Sequence, residues 1–187
     1  MKSIVVLVSG GGTNLQRIID VIEAKEISNA LIQLVVADRD CYAIERAENH
    51  NIQTAVIKRG RGFSDRLSKL IPPGTDLIVL AGFLTILSPE FCQQFSGKII
   101  NIHPSLLPKY GGNGMWGDFV HKAVLDNQES RSGATVHYVT AGVDQGDIIL
   151  QKGFDLSPDE TLDSLKEKVH KVEYEIFPEA IRKVLTL

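Results

Sequence analysis

The apolar positions of the chain fall into two alternating rhythms. Ser3–Val8 is an apolar run of strand length. Leu15, Ile18, Ile19 and Ile22 then recur at i, i+3, i+4 and i+7, which is one face of a helix. Leu31–Asp38 predicts a second strand, and a helix follows from about Ala43 to Asn51. Gln53–Ile57 is a short third strand, and Phe63–Ile71 a helix closed by Pro72 and Pro73. Asp76–Phe83 is a fourth strand. Ser88 followed by Pro89 marks a short helix, with an N-cap and a first-turn proline. Lys98–His103 is the fifth strand. Strands apolar nearly throughout, alternating with helices, predict an α/β fold: a mostly parallel sheet with helices on both faces.

After a Gly-rich segment the pattern changes. Phe119–Asn127 predicts a helix. Gly133–Val139 and Gly146–Leu156 read as two successive strands, which implies an antiparallel C-terminal edge. Leu162, Leu165, Val169, Val172 and Ile176 form a helical stripe within Thr161–Leu187, with a break expected at Pro178.

Composition narrows the class. The 187 residues suit one domain, 1–187, with a large core. The net charge of −3 argues against a nucleic-acid module. No apolar run is long enough to span a membrane, and the start has too short an apolar stretch for a signal peptide. Cys41 and Cys92 are isolated, which fits a reducing cytoplasm. The five His residues show no metal-ligand spacing, so no metal is expected.

Two stretches carry candidate chemistry. Ser9–Asn14, "SGGGTN", joins the first strand to the first helix. In an open parallel sheet that turn lies at the ligand-binding edge. Gly12, Thr13 and Asn14 stand where free helical N–H groups favour an anion. The pattern is neither GxGxxG nor a Walker loop, so one phosphate suits it better than a pyrophosphate. A tight turn with an Asn cap would use the same residues.

The second stretch is "NIHPSLLPKY". Asn101 and His103 are two apart on a strand and share a face, and Pro104 holds His103 extended. An amide beside an imidazole suits reactions that pass through a tetrahedral oxyanion: the amide stabilises the charge and the imidazole moves the proton. Asp144 or Asp147, in a Gly-flanked turn, would supply an acid to orient the imidazole.

Together "VVLVSGGGTNLQ", "LAGFLTILSP", "NIHPSLLPKY" and "GATVHYVTAGVDQGDIILQ" resemble the glycinamide ribonucleotide transformylases, also called phosphoribosylglycinamide formyltransferases. These belong to the folate-dependent formyltransferase superfamily. The resemblance runs in order from near residue 3 to about residue 176. It implies transfer of the formyl group of 10-formyltetrahydrofolate to the amine of phosphoribosylglycinamide in purine synthesis, with no metal. By that resemblance Gly12, Thr13 and Asn14 hold the substrate phosphate. Asn101 holds the formyl oxygen, His103 donates the proton, and Asp144 raises the pKa of His103. Leu84, Thr85, Ile86 and Leu87, together with Thr140, Ala141, Gly142 and Val143, contact folate, as does Arg66. Glu173, with His170 or Lys171, lies near the glycinamide and ribose.

The sequence also departs from the family. Thr85 stands where many members carry Arg. Gly111–Asp118 replace a shorter Pro-Gly-containing loop and receive no role. Methionyl-tRNA formyltransferases need a further RNA-binding domain and a basic surface, which do not fit this length and charge. A formyltetrahydrofolate deformylase-like hydrolase and a non-catalytic phosphoribosyl-binding protein are the alternatives. The expected partners are small molecules, without nucleic acid or membrane, for a monomer or homodimer.

Overall fold

The computed structural model describes residues 1–186. Five strands run parallel: β1 (Lys2–Val8), β2 (Ala30–Ala37), β3 (Thr54–Val56), β4 (Leu77–Leu80) and β5 (Ile99–His103). Two more, β6 (Arg131–Tyr138) and β7 (Ile148–Asp155), add on as an antiparallel edge. The seven-stranded sheet has the order β3-β2-β1-β4-β5-β6-β7. The predicted mixed sheet is therefore the one found. β4 is shorter than expected, because the chain leaves the sheet at Ala81 and Gly82 to form the wall of a cleft.

The helices are α1 (Thr13–Glu23), α2 (Tyr42–Asn49), α3 (Phe63–Leu70), α4 (Pro89–Gln94), α5 (Asp118–Asp126) and α6 (Leu162–Thr186). Their placement follows from the period-two pattern of the buried strands. Ile4, Val6 and Val8 of β1 face a core shared with α1, α2, α5 and α6. Val5 and Leu7 face a second core with α3 and α4. The β1 run is apolar throughout because both of its faces are covered. Ser88 caps α4 as predicted, its Oγ 3.3 Å from the N–H of Phe91, with Pro89 in the first turn.

One expectation fails. The last helix does not break at Pro178 but runs through it for 25 residues. Proline lacks the N–H that would bond the carbonyl of Tyr174, four residues earlier. That carbonyl instead accepts from Nε of Arg17 on α1, at 3.1 Å. Pro178 itself is buried with Phe177, Ala180 and Ile181. Packing and the borrowed donor together outweigh the local preference.

Strand order places the ligand edge. From β1 the chain steps outward to β2 and β3, then crosses back to β4 on the other side of β1. The carboxyl ends of β1 and β4 thus flank a topological switch point, where a crevice opens.

Candidate active site

At the end of β5, Asn101 is half-buried and His103 is 4% exposed. Antiparallel pairing sets Asn101 opposite His137 and His103 opposite Thr135 on β6. The register therefore brings a second imidazole to the site. Asn101 Nδ2 lies 3.2 Å from His137 Nε2. His137 Nδ1 lies 2.8 Å from the carbonyl oxygen of Tyr138, which can only accept. Nδ1 therefore carries a proton, and Nε2 faces the Asn101 amide. The amide nitrogen keeps a second N–H for a ligand.

Asp144, at the turn after β6, bridges the two imidazoles. Its Oδ2 is 3.5 Å from His103 Nδ1, and its Oδ1 is 3.4 Å from His137 Nε2. Asp147, the other acid of the turn, is exposed. Asp144 has φ 55°, a left-handed conformation uncommon outside glycine. Burial alone would raise its carboxyl. The hydrogen bond from His137, the charge of His103 and the N–H of Gly112 at 3.0 Å outweigh that and hold it below the usual carboxylate range.

His103 runs against expectation in its net direction. Burial pushes its pKa below the ordinary value. Asp144 and the Tyr110 carbonyl pull it up, as the resemblance implied for Asp144, but less strongly than burial pushes down. The ring Nε2 lies 2.7 Å from the Tyr110 carbonyl oxygen and so carries a proton. A proton gained at Nδ1 would face Asp144 directly.

The strand end is held firmly. Thr135, fully buried, donates to the Ser105 carbonyl and accepts from the Leu107 N–H and from Gln151 Nε2. This fixes "HPSLLP" against β6 and β7. A Cβ at Gly111 would lie 2.5 Å from Leu107 Cδ2 and 3.3 Å from Asp144 Cβ, so a side chain there would push the end of Leu107 aside and press on Asp144.

Asn101, His137 and Asp144 open onto a cleft of about 230 Å³. Leu84, Thr85, Ile86 and Leu87 form one wall, and Thr140, Ala141, Gly142 and Val143 another. All eight expected wall residues therefore meet at one cavity. Gly112–Trp116 close a third side. Arg66 is absent from this lining. Its guanidinium donates to the carbonyls of Arg61 and Lys58, at 2.8 and 2.9 Å, and holds the loop before α3. Thr85 donates to Asp38 at 2.6 Å, and the same Asp38 oxygen accepts from Arg59 at 2.7 Å.

At the start of α1, Gly12 is left-handed, with φ 73°. A Cβ there would stand 2.6 Å from Ala43 Cβ, so the close approach of α2 requires glycine. Arg39 donates to the Ser9 carbonyl and Arg46 to the Gly11 carbonyl, at 2.6 and 2.7 Å. Two cations thus brace the loop whose helical N–H groups face outward. Thr13 is exposed. Asn14 points elsewhere: its Nδ2 donates to Glu173 Oε2 at 3.1 Å. Glu173 is buried on α6, and burial raises its pKa to about 7 against that one hydrogen bond. His170, one turn earlier, has Nε2 4.0 Å from Glu173 Oε2. Lys171 projects to solvent from a different face and makes no ion pair or hydrogen bond with these groups among the described residues.

The formyl transferase family model matches residues 2–181. The chain belongs to the formyl transferase family. Within it, the chain is 38% identical over 189 residues to the phosphoribosylglycinamide formyltransferase of Haemophilus influenzae. That alignment covers 97% of this chain and 86% of the relative. The solved phosphoribosylglycinamide formyltransferase of Coxiella burnetii is 40% identical, with a TM-score of 0.86 over 97% of this chain and 85% of the other. Glycinamide ribonucleotide transformylase 1 of Geobacillus kaustophilus is 34% identical, with a TM-score of 0.89 over 99% of both chains. The activity is phosphoribosylglycinamide formyltransfer, a reaction of purine biosynthesis.

His137 is the site residue that sequence reasoning missed. The signal was present: Thr135 and His137 are polar positions two apart on the strand that follows "NIHP". Only the register shows that they face Asn101 and His103.

Proposed function

We propose that the cleft between Leu84–Leu87 and Thr140–Val143 binds 10-formyltetrahydrofolate, with its formyl group beside Asn101 and His103. The glycinamide substrate lies on the other side of the same edge. Its phosphate rests on Gly12, Thr13 and Asn14, and its ribose and glycinamide reach Glu173 and His170.

The residues divide the work as their chemistry requires. As the amine attacks the formyl carbon, charge develops on the formyl oxygen. The free N–H of Asn101 is aimed at that charge, and His137 stops the amide from turning. His103 supplies the proton that collapse of the intermediate needs at the departing nitrogen. Asp144 stabilises His103 while it carries that proton. Arg66 belongs to this reading as a brace for the loop before α3.

The observation that carries the proposal is the bridging of His103 and His137 by Asp144 at the mouth of an apolar cleft. Residues 1–187 act as one domain. Two free cysteines support a reducing, cytoplasmic setting, and no helix among the described residues is long and apolar enough to cross a membrane. The test follows folate absorbance with phosphoribosylglycinamide as acceptor and water as control. Release of tetrahydrofolate only with the amine supports the reading. Equal release in water alone would make the chain a hydrolase, and no release would make it a binding protein.

A further inference from the structure

Two of the buried polar atoms without a partner among the described residues sit on α1 and α5. One is Oδ1 of Asn14, whose amide nitrogen is held by Glu173. The other is Nδ1 of His121 on α5. His121 is 4% exposed, and among the described residues no hydrogen bond acts on its ring. The other buried positions of this helix are Val120 and Val124. A valine or leucine at 121 would fill such a place without stranding a polar atom. A buried polar group without a partner costs stability, and a ligand that supplies the partner accounts for its presence.

The surroundings say which ligand. The charged and titratable groups acting on the ring are Asp118 from its own helix, Lys166 and His170 from α6, and His103 from β5. Asp118 is in turn paired with Lys166 at 2.7 Å. His121 therefore lies within electrostatic reach of both the imidazole at the reacting centre and His170 on α6. It does not line the apolar cleft. Asn14, Glu173 and His170 form a polar cluster on α1 and α6, and the charges of His170 and His103 both act on the His121 ring.

We propose that His121 is a further substrate-contacting residue, accepting a hydrogen bond from the amine of the glycinamide substrate and so turning the nitrogen lone pair toward the formyl carbon. The inference rests on the assignment of that substrate to this side of the site. Burial outweighs the pull of Asp118 and holds the ring near a pKa of about 4, so at neutral pH one ring nitrogen is free to accept. The imidazole keeps that role unchanged across the pH range in which the substrate amine loses its proton. No proton passes to it. It orients the nucleophile, an effect worth roughly 10²-fold when about 1 Å of misplacement follows its loss.

The experiment uses His121→Phe, which keeps a ring but no acceptor, and His121→Gln, which keeps one. Calorimetric binding of phosphoribosylglycinamide, steady-state transfer and the thermal midpoint are read on each, with wild type alongside. The expected result for Phe is weaker binding of the amine substrate and kcat/KM down roughly 10²-fold. The folate KM and the shape of the pH profile stay as in wild type, and the midpoint is equal or higher. Gln restores most of the loss. A Phe variant with wild-type binding and kcat/KM overturns the inference. So does a Gln variant as impaired as Phe, with folate affinity and thermal midpoint lost together. Wild-type protein that binds the amine substrate without transferring formyl would instead sink the functional reading, and the calorimetric comparison would still decide the contact.

Discussion

The carbonyl oxygen of Tyr110 lies 2.7 Å from Nε2 of His103. Tyr110 has φ 56°, and two residues on, the N–H of Gly112 reaches Asp144 at 3.0 Å. A short strap therefore clasps both members of the acid–imidazole pair. For Nε2 to meet a substrate the strap must loosen. Beyond it, Trp116 is about half exposed, packed edge-on to Phe119 at 5.1 Å, and lines the cleft. Amide exchange at Asn113–Gly117 should slow when folate or substrate binds, and Trp116 fluorescence should shift. Identical exchange and emission with and without both ligands would rule out a closing loop.

Asp144→Asn keeps the shape and removes the charge. The Asp144 charge is an upward pull on His103, so its loss lets burial push the His103 pKa lower still. The acid-form activity should then fade at a lower pH than in wild type. The expected kcat loss is roughly 10²–10⁴-fold, the scale for a positioned acid or base. Asp147→Asn, altering an exposed turn residue, should turn over near the wild-type rate. The reverse ranking would name Asp147 as the acid.

In the proposed mechanism His137 acts through Asn101. Asn101→Ala should cost roughly 10²–10³-fold in kcat, as for a lost oxyanion donor. His137→Phe should cost less, roughly 10-fold, because the amide remains but is free to turn. The double variant should be little worse than Asn101→Ala alone. Additive losses would give His137 a separate role. Amine-substrate binding should change far less than kcat in all three.

Glu173 sets a pH dependence with a definite sign. Its carboxyl titrates near 4.5 when unfolded and about 7 when folded, so the fold favours the protonated acid. That contribution is fully present below about pH 4.5 and is lost as pH rises through 7. Glu173→Gln should therefore be more stable than wild type at pH 8, by up to about 3 kcal/mol. The gap should close below pH 4.5. Paired denaturant titrations at the two pH values read it, and a gap independent of pH would mean that Glu173 is not a buried acid. Asn14→Ala removes the one hydrogen bond on this carboxyl and should also raise the KM for phosphoribosylglycinamide.

Arg17→Ala removes the donor that serves the Tyr174 carbonyl at the buried proline. Arg17 is partly exposed, so a loss of about 1 kcal/mol is expected. That corresponds to a fall of roughly 2–4 °C in thermal midpoint. Arg17→Ala in a Pro178→Ala background should cost less, since the helix then supplies its own donor. An equal cost in both backgrounds would place the role of Arg17 elsewhere.

The parallel sheet was legible because β1, β2, β4 and β5 are apolar on both faces and the helices keep one periodic stripe. Asn101 and His103 were legible because polar residues two apart at the end of such a strand have no place in a core. The rest depends on contacts between segments distant in sequence. Nothing near Pro178 shows that Arg17, on another helix, will serve the stranded carbonyl. Nothing near His137 shows the register that puts it on Asn101. Arg66 reads as a ligand contact, and nothing near it in sequence shows that two of its N–H groups brace the Lys58 and Arg61 carbonyls.

The two oxygens of Asp144 face different imidazoles, Oδ2 toward His103 and Oδ1 toward His137. In the proposed mechanism one oxygen thus serves the proton and the other, through His137 and Asn101, serves the oxyanion. On that mechanism a single codon governs both halves of the reaction. No substitution at 144 can retune proton delivery while sparing the charge sink, so variants selected for a different leaving group must change at His103 or Asn101 and leave this position alone.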